Sequence, residues 1–375
     1  MTETLCPSPE VPALAWEAAA HFCPAGRVTT LMPLGRGNVH ETFLVTVGEG
    51  HGRFVLQRLN LTVFPRPEVI LANLRVVSGH LRQKTRQASP GRPELAVPEL
   101  LPAADGRDGW QGPDGSLWRA LTYLAGTRTP LILEGLDHAQ EVGWAVGRFH
   151  ALLQDLDPAR LEDPLPGFHH TPTYLKAYDT LRARKPLPPS PKARYAARCI
   201  EARRSLAGVL AAARDRGELP VRLIHGDPKV DNVLLDETSG RAVGLVDLDT
   251  VMPGLALYDL GDALRSLGNP LGEETRDWER VRFAPEVAAA FLHGYREGAP
   301  EFLTPREREY LYPALRLIAW ELGLRFFTDY LAGNVYFRST DPEHNLRRAL
   351  VQFRLAESIE GQAREIAALI RDCLA

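Results

Sequence analysis

Lysine is scarce in this chain. Its 375 residues hold five (Lys84, Lys176, Lys185, Lys192 and Lys229) against 39 arginines. Any site that needs an ammonium group must draw on those five. The pattern G-x-x-x-x-G-K-[ST] is missing, which excludes a Walker-type phosphate loop. Cysteine is limited to Cys6, Cys23, Cys199 and Cys373. Their spacing fits neither a zinc site nor a disulfide framework, so they read as free thiols of a reducing cytoplasm. No charge-free apolar run approaches the ~20 residues that span a bilayer. Met1-Thr2-Glu3-Thr4 does not open a basic, then apolar, secretory leader. A basic excess is lacking too: 44 Lys and Arg against 47 Asp and Glu leave a net charge of −3. That balance argues against a nucleic-acid partner.

What is present is an ordinary globular mixture, 45% hydrophobic and 24% charged, at a length suited to one large or two medium domains. The spacing predicts a helix from Ala13 to Phe22. An alternating hairpin follows, with Leu44-Val45-Thr46-Val47 and Phe54-Val55-Leu56 on either side of a Gly-rich turn. Helical spacing returns from Glu68 to Lys84. Pro90 to Pro98 reads as a loop, and the segments around Leu100 and Leu117–Leu121 as further strands. From about Gly126 the pattern is helical: Ala139 to Leu153, Ala193 to Gly217, and everything beyond Pro285, ending with Phe353 to Leu374. Lys185 to Pro191 holds four prolines and must be a loop. Val221 to Asp249 is a strand-loop-strand-turn-strand block. The division expected is a β-rich lobe over 1–124 and a mainly helical lobe over 125–375.

The block from Leu223 to Asp236 carries the densest chemistry. An apolar strand end enters His225-Gly226-Asp227-Pro228-Lys229-Val230-Asp231-Asn232 and returns to Val233-Leu234-Leu235. Flanking buried strands would hold these side chains in fixed geometry, as group transfer requires. Asp227 can accept a proton from a hydroxyl, Lys229 can meet a phosphate, and Asn232 offers an oxygen to a hard cation. The apolar run Ala242–Val246 ends abruptly in Asp247-Leu248-Asp249. Carboxylates at the end of a buried strand need a partner or a cation, and Asp227, Asn232 and Asp247 together make a candidate metal cage. Asp249 alone fits a loop cap equally well.

His225-Gly226-Asp227-x-x-x-x-Asn232, with Asp247 twenty residues after Asp227 and Asp259 twelve further on, resembles the aminoglycoside phosphotransferase and choline kinase superfamily. The resemblance implies an α+β, protein-kinase-like bilobal fold and use of ATP and Mg²⁺. It makes Asp227 the residue that orients and deprotonates the acceptor hydroxyl, and Lys229 a phosphate-contacting cation. Asn232 and Asp247 become metal ligands, His225 a structural support, and Asp259 a buttress of the catalytic loop. Gly35 and Gly37 resemble a kinase Gly-rich loop that approaches phosphates. Leu121 and Tyr123 lie where a hinge would meet adenine. Kinases place a Lys in the strand after that loop, whereas this strand reads Phe54-Val55-Leu56-Gln57-Arg58. Gln57 or Arg58 must take its role, or the phosphates are held otherwise. Glu68 is the candidate for the usual acidic partner.

A narrower resemblance is to the N-acetylhexosamine 1-kinase branch. It rests on Val55–Asn60 with Val63-Phe64, on Phe168-His169-His170-Thr171-Pro172, and on Asp247–Gly254. It rests also on Leu324-Arg325-Phe326-Phe327-Thr328-Asp329-Tyr330-Leu331-x-Gly333-x-x-Tyr336-Phe337. This implies a small-molecule acceptor, N-acetylglucosamine or N-acetylgalactosamine, phosphorylated at the anomeric hydroxyl. Arg325, Tyr336 and Asp249 would contact the sugar, as would Asn38 and His40. The last two lie in Gly37-Asn38-Val39-His40-Glu41-Thr42, where His and Asn are exchanged relative to the branch. His169 and His170 read as loop histidines. Two other readings stay open: another acceptor of the same superfamily (an aminoglycoside, another sugar or an amino alcohol), and a non-catalytic pseudokinase. Asp227, Asn232 and Asp247 argue against the second.

Overall fold

Alternating burial along two strands lays the floor of the first unit. Phe43 and Val45 are buried in one strand, Phe54 and Leu56 in the next, and the residues between them are not. This period of two turns one sheet face inward. The computed structural model describes residues 11–23, 27–35, 39–48, 52–85 and 94–375. It divides into two compact units, Met1–Arg75 with Pro98–Ala125, and Val76–Val97 with Gly126–Ala375.

The first unit holds α1 (Ala13–His21), β1 (Val28–Pro33), β2 (Glu41–Val47) and β3 (Gly52–Arg58). The first half of α2 (Pro67–Thr85), β4 (Leu100–Leu101), β5 (Trp110–Gln111) and β6 (Leu117–Thr122) complete it. The sheet is antiparallel in the order β1-β2-β3-β6-β4, and β5 also pairs with β6. Ala15, Ala18 and Ala19 of α1 pack with Phe43, Val45, Phe54, Leu56 and Trp118 on one face of it. Small α1 side chains let the helix lie close to the strands.

The second unit opens with the rest of α2, then β7 (Thr127–Arg128), α3 (Leu136–Leu153), α4 (Thr171–Arg184), α5 (Pro191–Glu201) and α6 (Val209–Asp215). Four short strands follow: β8 (Arg222–Ile224), β9 (Val233–Asp236), β10 (Ala242–Leu245) and β11 (Met252–Gly254). The chain ends in α7 (Ala256–Leu267), α8 (Pro285–Gly298), α9 (Pro305–Ala332), α10 (His344–Gly361) and α11 (Ala363–Leu374). Two antiparallel ladders, β10-β9-β7 and β11-β8, anchor both ends of the loop between β8 and β9. Among the described residues no helix is long and apolar enough to cross a membrane. Cys23, Cys199 and Cys373 are free thiols.

The structure corrects several helix expectations. The single helix over Ala193–Gly217 is α5, a tight turn at Arg204–Leu206, and α6. The break falls before Gly208, and Arg203 turns aside to Glu360 at 2.6 Å. The terminal helix divides between α10 and α11 after Gly361, where the Gln362 side chain donates to the Ser358 and Phe283 carbonyls. Helices α4 and α7 were not foreseen. Helix α7 is buried almost all round, and Asp259, Asp262 and Arg265 are buried with its leucines, so burial there does not follow apolarity.

Helices α3 and α8 meet along glycines. A Cβ on Gly143 would stand 2.0 Å from the Phe291 carbonyl oxygen, and one on Gly294 would stand 1.9 Å from that of Gln140. Backbone thus touches backbone, and this close approach brings His150 of α3 to Tyr295 of α8 at 2.9 Å. Gly294→Ala is expected to cost at least ~1–3 kcal/mol by overpacking, read as a lower denaturant midpoint with an unchanged m-value.

Candidate active site

Asp259 organises the loop between β8 and β9. The His225 backbone N–H donates to its Oδ2 at 2.7 Å, and the Gly226 N–H donates to its Oδ1 at 2.8 Å. His150 Nε2 reaches Oδ2 at 2.9 Å. Burial pushes the Asp259 carboxyl up, but the His150 hydrogen bond and the neighbouring charges outweigh it and hold it below its ordinary range. Gly226 has φ +87°, and a Cβ there would meet the Thr250 carbonyl oxygen at 2.7 Å. Only glycine fits that turn. The His225 ring donates from Nε2 to the Val246 carbonyl at 3.0 Å, tying the loop to the end of β10. His225 and Asp259 therefore stand where a support and a buttress belong.

On this frame Lys229 Nζ pairs with Asp227 Oδ2 at 2.7 Å. Burial works against the Lys229 charge, yet Asp227, Asp247 and Asp231 outweigh it and hold the ammonium above its ordinary range. Asn232 donates from Nδ2 to the Asp227 carbonyl oxygen at 2.8 Å, so a cation would meet its oxygen. The Val246 N–H donates to the Asn232 carbonyl at 2.9 Å, which sets Asp247 beside Asn232 at adjacent strand ends. Asp247 has φ 63° and ψ 54°, a left-handed conformation that non-glycine residues rarely hold except where structure imposes it. One carboxylate and one amide oxygen suit Mg²⁺, which takes few protein ligands and fills its shell with phosphate and water. Among the described residues no group of three or more His, Cys, Asp or Glu is placed to hold a metal. Asp249 is buried on the turn after Asp247.

Helix α9 carries Glu321, Arg325 and Asp329, spaced four apart on one face. Glu321 accepts from His169 Nδ1 at 3.1 Å and from the Thr171 hydroxyl. His169 Nε2 lies 3.1 Å from the Gly226 carbonyl oxygen. Both of its partners only accept, so the imidazolium form alone satisfies them. Burial by itself would lower His169 and raise Glu321; their mutual hydrogen bond reverses both, lifting His169 and lowering Glu321. Arg325 lies among Phe168, Tyr174 and Phe337, its guanidinium carbon 5.1, 5.0 and 5.4 Å from their ring centres. Asp329 accepts from three successive backbone N–H groups, those of Val335, Tyr336 and Phe337, at 2.8 to 3.0 Å. Tyr336 is 48% exposed on that loop, its ring edge-on to Phe337.

In the first unit, register separates the two candidates for the missing strand lysine. Gln57 pairs with Arg119 and Val55 with Leu121, so Gln57, Leu121 and Tyr123 share one sheet face. Arg58 belongs to the opposite face and pairs with Glu41 at 3.3 Å and Asp114 at 2.9 Å. Sequence reasoning missed Arg119. It is 1% exposed, and donates to Gln57 Oε1 from Nε at 2.9 Å and from Nη2 at 2.7 Å. Tyr123 carries the Arg53 guanidinium over its ring at 4.6 Å. His40 is buried, and its Nδ1 accepts from the Asn60 N–H at 3.0 Å. Glu68 is exposed and pairs with Arg66 at 3.5 Å. Gly35 has a left-handed φ of 70°, as a tight glycine turn does. Gly37 and Asn38 lie outside the described residues.

Residues that the sequence passed over are thus His169, Glu321, Asp329 and Arg119. His169 and Asp329 sat inside stretches already singled out. Glu321 could have been found from the Glu-x₃-Arg-x₃-Asp spacing on a long helix.

A family model described as phosphotransferase enzyme family matches residues 30–310. The chain belongs to that family. Among solved structures it resembles a microcompartment-associated aminopropanol kinase, at 17% identity over 94% of this chain and 98% of that one, with a TM-score of 0.61. It also resembles aminoglycoside 2′-phosphotransferase-IIIa in complex with GDP, at 14% identity over 90% and 96%, TM-score 0.58. Choline kinase from Cryptosporidium parvum matches at 13% identity over 92% and 91%, TM-score 0.55. The fold is accordingly α+β and protein-kinase-like, with a small antiparallel-sheet lobe and a helical lobe.

Two outcomes test this geometry. Asp227→Asn should lower kcat by roughly 10²-fold or more, the scale reached on losing a general base, in a steady-state phosphoryl-transfer assay. His169, raised above its ordinary 6.5, contributes stability that is full below that pH and fades as pH rises through the raised value. Denaturant titrations from neutral to alkaline pH should show this loss in the wild type and not in His169→Gln, whose amide does not titrate.

Proposed function

We propose that the chain is an ATP- and Mg²⁺-dependent small-molecule kinase that phosphorylates the anomeric hydroxyl of a neutral N-acetylhexosamine, giving the sugar 1-phosphate. In this reading Asp227 orients the acceptor hydroxyl and takes its proton as the phosphoryl group arrives. Lys229 is the loop's cation for the transferring phosphate. Asn232 and Asp247 would hold Mg²⁺, which when bound neutralises charge on the β- and γ-phosphates.

The observation that carries the acceptor class is the setting of Arg325. Three rings hold its guanidinium, and it feels the charges of Glu321 and Asp262. A fixed guanidinium only donates, so it suits sugar hydroxyls and an acetamido carbonyl, and repels a polycation. The similar structures carry the names of kinases for aminopropanol, aminoglycosides and choline. A caged arginine on the acceptor side sets this chain's expected substrate apart from such amines.

ATP with a panel of sugars, amino alcohols and aminoglycosides tests the reading. N-Acetylhexosamines should be turned over, and aminoglycosides weakly or not at all. Arg325→Ala should raise the sugar KM by about 10- to 100-fold, as expected for hydrogen bonds to a charged group of ~1.5–3 kcal/mol. The KM for ATP should hardly move. An unmoved sugar KM, or phosphorylation of aminoglycosides alone, sinks the reading.

A further inference from the structure

We infer that Asp262 is a specificity-determining residue whose Oδ2 accepts a hydrogen bond from a hydroxyl of the acceptor sugar other than the one phosphorylated. The inference rests on the sugar-kinase reading above.

Asp262 lies in α7, three residues after the Asp259 that holds the catalytic loop, and is 6% exposed. Its Oδ1 is engaged twice by Arg265, from Nε at 2.9 Å and from Nη2 at 2.8 Å. Its Oδ2 is buried and has no hydrogen-bond partner among the described residues. A buried carboxylate oxygen left unmet is costly, more so than a neutral atom, and native folds keep few of them. Arg265 already balances the charge through Oδ1, and Oδ2 is left with no donor from the fold among the described residues.

Its neighbours indicate what meets it. Asp262 acts electrostatically on Asp231 of the catalytic loop, on His169 and on Arg325. Its partner Arg265 feels the charge of Asp227. Asp262 therefore lies near Asp231 and the Arg325 guanidinium, one helical turn from the Asp259 that holds the loop bearing Asp227. As a carboxylate it can only accept, and Arg325 can only donate. A neutral polyhydroxylated ligand satisfies both at once, with a hydroxyl hydrogen toward Asp262 and an oxygen toward Arg325. An ammonium would suit Asp262 while bringing like charge toward Arg325; a carboxylate would do the reverse.

The test pairs a protein change with a ligand change. Asp262→Asn keeps an oxygen for Arg265 and can put an NH₂ group in place of Oδ2. The kcat/KM values of the N-acetylhexosamine and its monodeoxy analogues are measured for both proteins. In the wild type one deoxy position should lose about 10- to 100-fold, the range for a hydrogen bond to a charged group. In Asp262→Asn that same position should lose little, while the other positions keep their wild-type penalties. A merely structural Asp262 would lower all analogues alike, and unchanged penalties at every position overturn the inference. A wild-type enzyme that turns over no N-acetylhexosamine overturns the sugar reading itself, and this is seen before any variant is made. Should Asp262→Asn fail to fold, Asp262→Asn with Arg265→Gln removes both buried charges together and takes the same deoxy series.

Discussion

The Asp259 carboxylate is the contact on which the catalytic segment depends. It accepts two consecutive backbone N–H groups where the loop leaves β8, just beyond the β11-β8 ladder. Buried donors without partners would be costly there. One side chain satisfies both and fixes the direction in which Asp227 leaves the loop. Asp259 is itself fixed by His150, and His150 by Tyr295. That chain closes only because α3 and α8 touch through glycines. A packing feature far along the sequence thus sets the position of a single carboxylate.

Helix α9 does for the segments around Phe168 and Tyr336 what Asp259 does for the loop. Its residues at intervals of four hold three separate segments. Glu321 holds His169 and through it the Gly226 carbonyl, Arg325 seats the rings of Phe168, Tyr174 and Phe337, and Asp329 gathers the N–H groups of the loop bearing Tyr336. Gly226 is consequently gripped from both sides, its N–H by Asp259 and its carbonyl by His169. A loop held at both polar groups of one peptide position has little freedom to drift, which is what preorganised transfer requires.

The catalytic block was legible because its information is local: a strand end, a short polar loop, a strand and a second strand end. Asp227, Lys229 and Asn232 fall within six residues, and Asp247 is one ladder away. The helices of the second unit were legible where an apolar stripe was intact, as in α3. They were not where charged residues are buried alongside the apolar ones, as in α7, or where side chains such as Arg203 and Gln362 turn the chain aside. The face of a strand residue was legible only in principle. Gln57 and Arg58 are neighbours, and deciding between them needs the register with β6, which brings in Arg119 from sixty-two residues away. His169 reads locally as a loop histidine, and nothing near it in sequence announces a glutamate on a helix 152 residues later.

Charge pairing explains how this site can keep so many ions buried. Lys229 meets Asp227, Arg265 meets Asp262, and His169 meets Glu321, each pair within hydrogen-bonding distance. Burial would expel each of these charges singly, and each is retained because its partner is fixed by the fold. In the reading proposed above, recognition is directional: a donor at Arg325 and an acceptor at Asp262, on α9 and α7 rather than on the loop that bears Asp227. Directional hydrogen bonds discriminate strongly because a ligand lacking the matching group leaves a buried polar atom unmet. In that reading α7 and α9 serve two purposes, since Asp259 and Glu321 of the same helices hold the loop that bears Asp227.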